Sequence, residues 1–488
     1  MSDNMSLSRP ARTAIVGKGG IKCKECNRRN IIDENHETCQ LCYEIFKSNL
    51  SGNKVIDDII RNTRVNFVKG KIRRILEFVP YDQFKNIEFI AEGGFSKIYK
   101  AIWVDGPIND YYSRTSNTIV RNNNYTVVLK NLNNSKNITS KELNELKVYY
   151  QILSNNNLTY TISEYFGITQ DPITKDMMII MKYYSSGDLI HYLSNNFYKI
   201  SWRTKMERLH FISFGLLKIH SAKIIHRDLH SGNIFFDEFS AYIGDLGISR
   251  SATESNIDNE KYGIISYMAP EIFQGQKYTK ASDIYSFGMI MWEFMTGRRP
   301  FWDEIHDIEL IIKICDGLRP LIVTNAPKGY IELMKECWHS DPAKRPTAEN
   351  MISKIDKIYN KERFIKRTKI IKSSDIGPAT INNPGAIYKS RPLSRMFQSA
   401  MSLRSSRSQS IDPFYYYQKN TDKRKFEDDS VEASNDNEQS MKRRKFLESE
   451  NSDYFTKETE LDINMSSNQP RDKGYVTKEI DLDINHVL

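Results

Sequence analysis

IHRDLHSGNIF, residues Ile225–Phe235, sets a carboxylate, Asp228, five residues ahead of an amide, Asn233. That pairing suits phosphoryl transfer. A carboxylate can take the proton of an attacking hydroxyl, while a nearby amide oxygen holds a metal bound to a triphosphate. Eleven residues alone can arise by chance, so the reading rests on what accompanies them and in what order. A glycine-containing turn lies upstream at Glu92–Phe95, a lysine closes the apolar run TVVLK at Lys130, and DLG and APE follow at Asp245–Gly247 and Ala269–Glu271.

Together these motifs resemble a protein kinase catalytic domain, and the likeness runs from about Phe84 to Asn360. The resemblance implies an α+β, bilobal fold with a small β-rich lobe and a larger helical lobe. It implies ATP as donor, Mg²⁺ at one or two sites, and a protein substrate. Asp228 would accept the hydroxyl proton, and Asn233 and Asp245 would hold Mg²⁺. Lys130 would contact the α- and β-phosphates and pair with a helix glutamate. Of Glu142 and Glu145 we choose Glu145, because Leu143, Leu146 and Tyr150 make an apolar stripe that turns it inward. Arg227 resembles the arginine that pairs with a phosphate on the activation loop. Ser251, Thr253 and Ser255 are candidate switch positions in that loop.

The turn over the triphosphate would be Ala91, Glu92, Gly93, Gly94, Phe95 and Ser96, its glycines letting backbone N–H groups approach phosphates. Ile90, Ile98, Val128 and Phe235 would enclose the nucleotide, Met181 would limit the back of the pocket, and backbone near Tyr183 would meet adenine. Five positions depart from the family pattern: Ala91, Ser96, Val128, His230 where a lysine is usual, and Ile264 where a threonine is usual. None removes a metal ligand or the proton acceptor. An enzyme is therefore expected, against the alternative of a catalytically weak, kinase-shaped nucleotide-binding or scaffold module. The run from GRRPF to CW-x2-DP-x2-RPT is similar to the tyrosine-kinase-like group, most of whose members act on serine or threonine; a tyrosine or dual-specificity enzyme is the alternative. Glu271 would pair with Arg345, and Asp283, opening an apolar helix, would cap the HRD turn.

The chain has 488 residues and a mass of 56.9 kDa, more than one hydrophobic core usually fills, so one large domain with appendages is expected. A net charge of +9 is mild for this length and reads as a solvated mixed surface. No run approaches the apolar length needed to span a bilayer, so no membrane association is expected. A cytoplasmic location follows, with a nuclear alternative from the basic clusters Lys423–Lys425 and Lys442–Lys445.

Residues 1–20 read as a flexible lead. Within 21–46, Cys23, Cys26, Cys39 and Cys42 form two CxxC knuckles, the spacing of a structural zinc ribbon. Its bases lack interleaved aromatics, which argues against nucleic acid. Cys315 and Cys337 read as isolated buried thiols. Residues 50–83 predict short amphipathic helices broken near Gly70 that brace the small lobe. The kinase domain takes 84–360, and 361–488 is expected to be a disordered tail. YFTKETELDIN at Tyr454–Asn464 recurs as YVTKEIDLDIN at Tyr475–Asn485. Ribbon and tail are candidates for docking a protein.

Overall fold

A computed structural model describes residues 21–27, 29, 31, 37–47, 49–72, 74–92, 96–109, 118–136, 138–139, 142–155, 160–252, 260–364, 367–379 and 382–406. The lead, Gly93, Gly94, Phe95, Thr253, Ser255, the two basic clusters and the repeated tail motif lie outside these residues.

Helix α1 (Gln40–Lys47) follows Cys39, and α2 (Lys54–Val68) follows Asn53, whose side chain accepts the Val55 and Ile56 N–H groups. That is the usual N-cap, satisfying donors that the first turn leaves open. The helix stops at Lys69, and Gly70 takes φ +71° just beyond, a left-handed C-terminal position that suits glycine. The second helix expected after Gly70 does not form. Ile72, Ile75 and Leu76 are buried, but residues 74–76 form no helix and lead into strand β1 (Glu77–Phe78) ahead of Pro80, which disfavours helix in the residue before it.

Five more strands complete the small-lobe sheet: β2 (Phe84–Glu92), β3 (Ser96–Trp103), β4 (Tyr125–Leu132), β5 (Tyr165–Gln170) and β6 (Met177–Lys182). The order is β1-β5-β6-β4-β3-β2, antiparallel except for β1 beside β5. Gly167 makes that parallel pairing fit, since a Cβ there would stand 1.9 Å from the Glu77 carbonyl oxygen. Helix α3 (Asn144–Asn155) buries Leu146, Tyr149 and Ile152, and its Tyr150 hydroxyl meets Asn66 and the Asn62 carbonyl of α2. Helix α2 therefore lies beside the helix that carries Glu145.

The large lobe contains α4 (Leu189–Asn196), α5 (Trp202–Ser221), β7 (Ile224–Ile225), the hairpin β8 (Ile234–Phe236) with β9 (Ala241–Ile243), β10 (Arg250–Ser251) and β11 (Tyr262–Gly263). Then come α6 (Pro270–Phe273), α7 (Lys280–Thr296), α8 (Ile308–Cys315), α9 (Tyr330–Cys337) and α10 (Ala348–Phe364). Trp202, Met206, Leu209, Ile212, Leu216 and Ile219, spaced by three and four along α5, are buried, and α7 is buried on every side from Ser282 to Thr296. Cys337 is buried in α9, and burial pushes the half-buried Cys315 thiol up to about 12.

The disorder expected from residue 361 is corrected as far as Ser406. Helix α10 runs to Phe364, and the chain beyond it packs on the large lobe through Ile376, Tyr388, Leu393, Phe397 and Ala400, forming β12 (Arg391–Pro392) and α11 (Ser394–Ser406). These apolar anchors are sparse and lack periodicity before residue 394, so average composition hides them.

Lys205 in α5 is fully buried, with Nζ 3.8 Å from the Phe197 ring centroid and 5.0 Å from that of Trp202. Burial pushes its ammonium down to about 7, and the ring faces replace part of the lost hydration. An unfolded lysine titrates near ~10.4. Between these values the unfolded chain binds the extra proton, so stability rises with pH through that window; below it the full penalty stays. Lys205→Met should raise Tm by about 3–6 °C at pH 7 and flatten the rise toward pH 9. A melting curve for the variant that tracks wild type across this range would remove the assignment.

Candidate active site

Lys130 sits near the end of β4, in register with Ile98 on one side and Ile179 on the other. Its Nζ lies 3.0 Å from Glu145 Oε2 and 3.2 Å from Asp245 Oδ1. Glu145 is turned inward by the apolar face of α3, and its Oε1 accepts the Tyr165 hydroxyl at 2.8 Å. Glu142, the other candidate, instead accepts from the Thr139 backbone N–H and hydroxyl. Burial alone would lower the Lys130 ammonium, but Asp245 and Glu145 outweigh it and raise it. Burial would raise the Asp245 carboxyl, but Lys130 and the Gly247 N–H hold it below the ordinary carboxylate value. The lysine and this aspartate thus stay ionised at neutral pH.

The HRD turn is held from beneath by Asp283 of α7. Its Oδ2 accepts the His226 N–H at 2.9 Å and lies 2.8 Å from His220 Nε2, while Oδ1 accepts the Arg227 N–H at 3.0 Å. These bonds support the left-handed backbone of Arg227, φ +74°. Asp228 is only 7% exposed, and the Asn233 side-chain amide donates to its carbonyl at 2.9 Å. His226 Nε2 lies 3.0 Å from the Gly244 carbonyl, tying this turn to the DLG turn, where Leu246 is fully buried. His230 is buried with Nε2 3.8 Å from Asp228 Oδ2.

A cleft of about 310 Å³ opens between the lobes. Ile90, Ser96, Ile98, Val128, Lys130, Met181, Tyr183, Asn233, Phe235 and Asp245 line it; Ala91 and Glu92 do not. Asp228 and Arg227 line a small adjoining hollow with Ile264 and Met268. The Arg227 guanidinium lies over the Tyr278 ring, 4.7 Å from its centroid. Glu271 and Arg345 meet through two parallel bonds of 2.7 Å.

Three contributors escaped sequence reasoning. Asn144 donates to the Gly247 carbonyl at 2.8 Å and that of Ser249 at 3.1 Å, fastening α3 to the DLG segment. Asp188 caps α4 by accepting the His191 N–H at 2.9 Å, and both residues line the cleft. Its signal was present as an aspartate just ahead of the apolar start of a helix.

Asn233 and Asp245 suit Mg²⁺. The Asn233 amide nitrogen donates to backbone, so its oxygen would be the atom to hold the ion, and Asp245 keeps its charge at the cleft wall. The four N-terminal cysteines are buried, and their Sγ atoms all lie within 4.8 Å of one another, with Cys26 and Cys39 3.9 Å apart. Tetrahedral zinc with Zn–S near ~2.3 Å needs sulfurs about 3.8 Å apart, so this cage fits one such ion. A ribbon describes the surroundings poorly, because the second CxxC lies at the start of helix α1.

The protein tyrosine and serine/threonine kinase family pattern matches residues 84–355. A protein of Acanthamoeba polyphaga mimivirus bearing the name serine/threonine-protein kinase/receptor is 34% identical over 183 residues, 37% of this chain and 11% of that protein. Stress-activated protein kinase alpha of Dictyostelium discoideum is 31% identical over 239 residues, 46% of this chain and 37% of that protein. The chain thus spans between about a tenth and just over a third of the length of these curated relatives. No helix among the described residues is long and apolar enough to cross a membrane. With the cleft, the ionised Lys130–Asp245 contact and the HRD turn in the order this pattern requires, the chain belongs to the protein tyrosine and serine/threonine kinase family.

Proposed function

We propose that the chain is an ATP-dependent protein kinase of the tyrosine-kinase-like group that phosphorylates serine or threonine hydroxyls of protein substrates. The observation that carries this reading is the meeting of Lys130 with both Glu145 and Asp245 in the cleft that Asn233 also lines. Lys130 would contact the α- and β-phosphates with its position fixed by the two carboxylates. Mg²⁺, held by Asn233 and Asp245, would neutralise charge on the triphosphate. Asp228 would orient the acceptor hydroxyl and take its proton as the oxygen–phosphorus bond forms and the bond from the γ-phosphorus to the bridging oxygen of ADP breaks. His230, an imidazole in place of a lysine ammonium, supplies less positive charge, which lowers rate without changing reaction type.

Serine or threonine as acceptor is supported by the names of the relatives and by the HRD and APE segments, which lack the tyrosine-kinase arginine–alanine and proline signatures. The test is transfer from radiolabelled ATP with Mg²⁺ to a mixed peptide library, followed by acid hydrolysis of the product. Label on serine or threonine is expected. Label on tyrosine overturns the acceptor, and a silent wild-type chain moves the nucleotide-binding module ahead.

The cysteine cage is proposed as a structural zinc site that stabilises the small lobe. So small a segment cannot bury enough surface by itself, which couples its folding to the metal. Atomic absorption should find one zinc per chain, and chelation should lower Tm by about 3 °C or more. Metal-free protein with an unchanged melting curve would refute the site.

A further inference from the structure

Strand β11 ends the activation segment, and its edge is taken by the chain's own C-terminal segment. Tyr262 and Gly263 pair antiparallel with Pro392 and Arg391. The Leu393 N–H donates to the Lys261 carbonyl at 2.8 Å, the Lys261 N–H donates to Ser394 Oγ at 2.8 Å, and the Ser394 N–H reaches Glu260 Oε1 at 3.3 Å. Residues 260–263 are thus gripped one after another.

So short a two-stranded pair is marginal by itself. Anchors on both sides of β12 hold it in place. Ahead of it, the Tyr388 hydroxyl donates to the Pro300 carbonyl at 2.8 Å. Beyond it, Leu393 is 1% exposed, Phe397 packs edge-on against Phe273 at 5.0 Å, and Arg404 Nε lies 2.7 Å from Asp316 Oδ1.

The path from this strand to the chemistry is short. The Tyr262 carbonyl accepts the Tyr278 hydroxyl at 2.7 Å, and the Tyr278 ring lies under Arg227, the neighbour of Asp228. Ile264, next after β11, shares a hollow with Arg227 and Asp228.

We infer that residues 382–406 are an intramolecular docking element. Its strand β12 occupies the β11 edge and holds the end of the activation segment beside Asp228. The segment acts as a support and not as a plug. None of its residues lines the nucleotide cleft, and with it docked the Lys130–Glu145 pair and the β10–β7 pairing are both formed. The docking stands on the contacts alone; its consequence for rate rests on the kinase reading.

The experiment compares the full chain with Leu393→Asp and Phe397→Asp, each placing a charge at a buried anchor. Amide hydrogen exchange at residues 260–264 should rise about tenfold or more, while exchange in α5 stays at the wild-type level and reports a folded lobe. Transfer to the peptide library should fall about tenfold. A synthetic peptide spanning 382–406, in excess over Leu393→Asp, should reverse both effects, which a merely unstable variant would not allow. Unchanged exchange at 260–264 overturns the docking, and a faster variant overturns the supporting role by making the segment a block. If the wild-type chain transfers no phosphate, the kinase reading falls while the exchange data still decide the docking.

Discussion

Asp228→Asn should lower the rate of phosphate transfer by about 10³-fold while ATP binding stays within about threefold of wild type. Asparagine keeps the shape of aspartate but cannot take a proton, so the loss falls on the chemical step. The turn should survive, because the bonds that hold it go from Asp283 to the backbone of His226 and Arg227 and from Asn233 to the Asp228 carbonyl; none uses the Asp228 carboxylate. Initial rates under saturating ATP, set beside calorimetric ATP affinity, separate the two effects. A variant within tenfold of wild type would end the assignment of Asp228 as base. His230 gives the comparison a second reading: its Nε2, 3.8 Å from Asp228 Oδ2, belongs to a group that can also accept a proton. Residual activity that titrates like an imidazole would move the role to His230.

The parts of this site that were legible in the sequence are those where chemistry fixes residue type and local spacing together. Asp228 and Asn233 lie within one turn, and Asp245 within a three-residue signature. Glu145 was separable from Glu142 because three apolar neighbours defined a helix face. What stayed hidden depends on single contacts across long separations. Asn144 reaches Gly247, 103 residues away, through one side-chain amide to a backbone carbonyl, and any residue can offer that carbonyl. Strand β1 is two residues long and owes its existence to Gly167 in β5, so no alternation marks it. The C-terminal segment was misjudged for a related reason: a few anchors, Tyr388, Leu393 and Phe397 among them, hold a mostly polar stretch in place. Low mean hydropathy measures the stretch and overlooks the anchors.

Arg345→Met should cost about 3–5 kcal/mol of stability, the largest loss expected from any single change described here. The Arg345 side chain is fully buried, and Glu271 is 4% exposed. The guanidinium also donates to the Ala281 carbonyl at 2.9 Å, the His339 carbonyl at 2.8 Å and the Ser340 carbonyl at 3.3 Å, so methionine fills the volume but leaves a carboxylate and three carbonyls without their donor. The double variant Glu271→Leu with Arg345→Met should lose less than Arg345→Met alone, because the stranded charge goes with its partner. Urea unfolding of the four proteins of this cycle measures both statements, and a single variant within about 1 kcal/mol of wild type would contradict the first. The pair has this weight because of where it ties the chain. Glu271 lies in α6, directly after the Ile264–Met268 stretch that borders Asp228, while Ala281 opens the helix that carries Asp283. One arginine thus fixes the floor of the activation segment to the helix that holds the HRD turn, and a loss of stability there should be felt first in the geometry around Asp228.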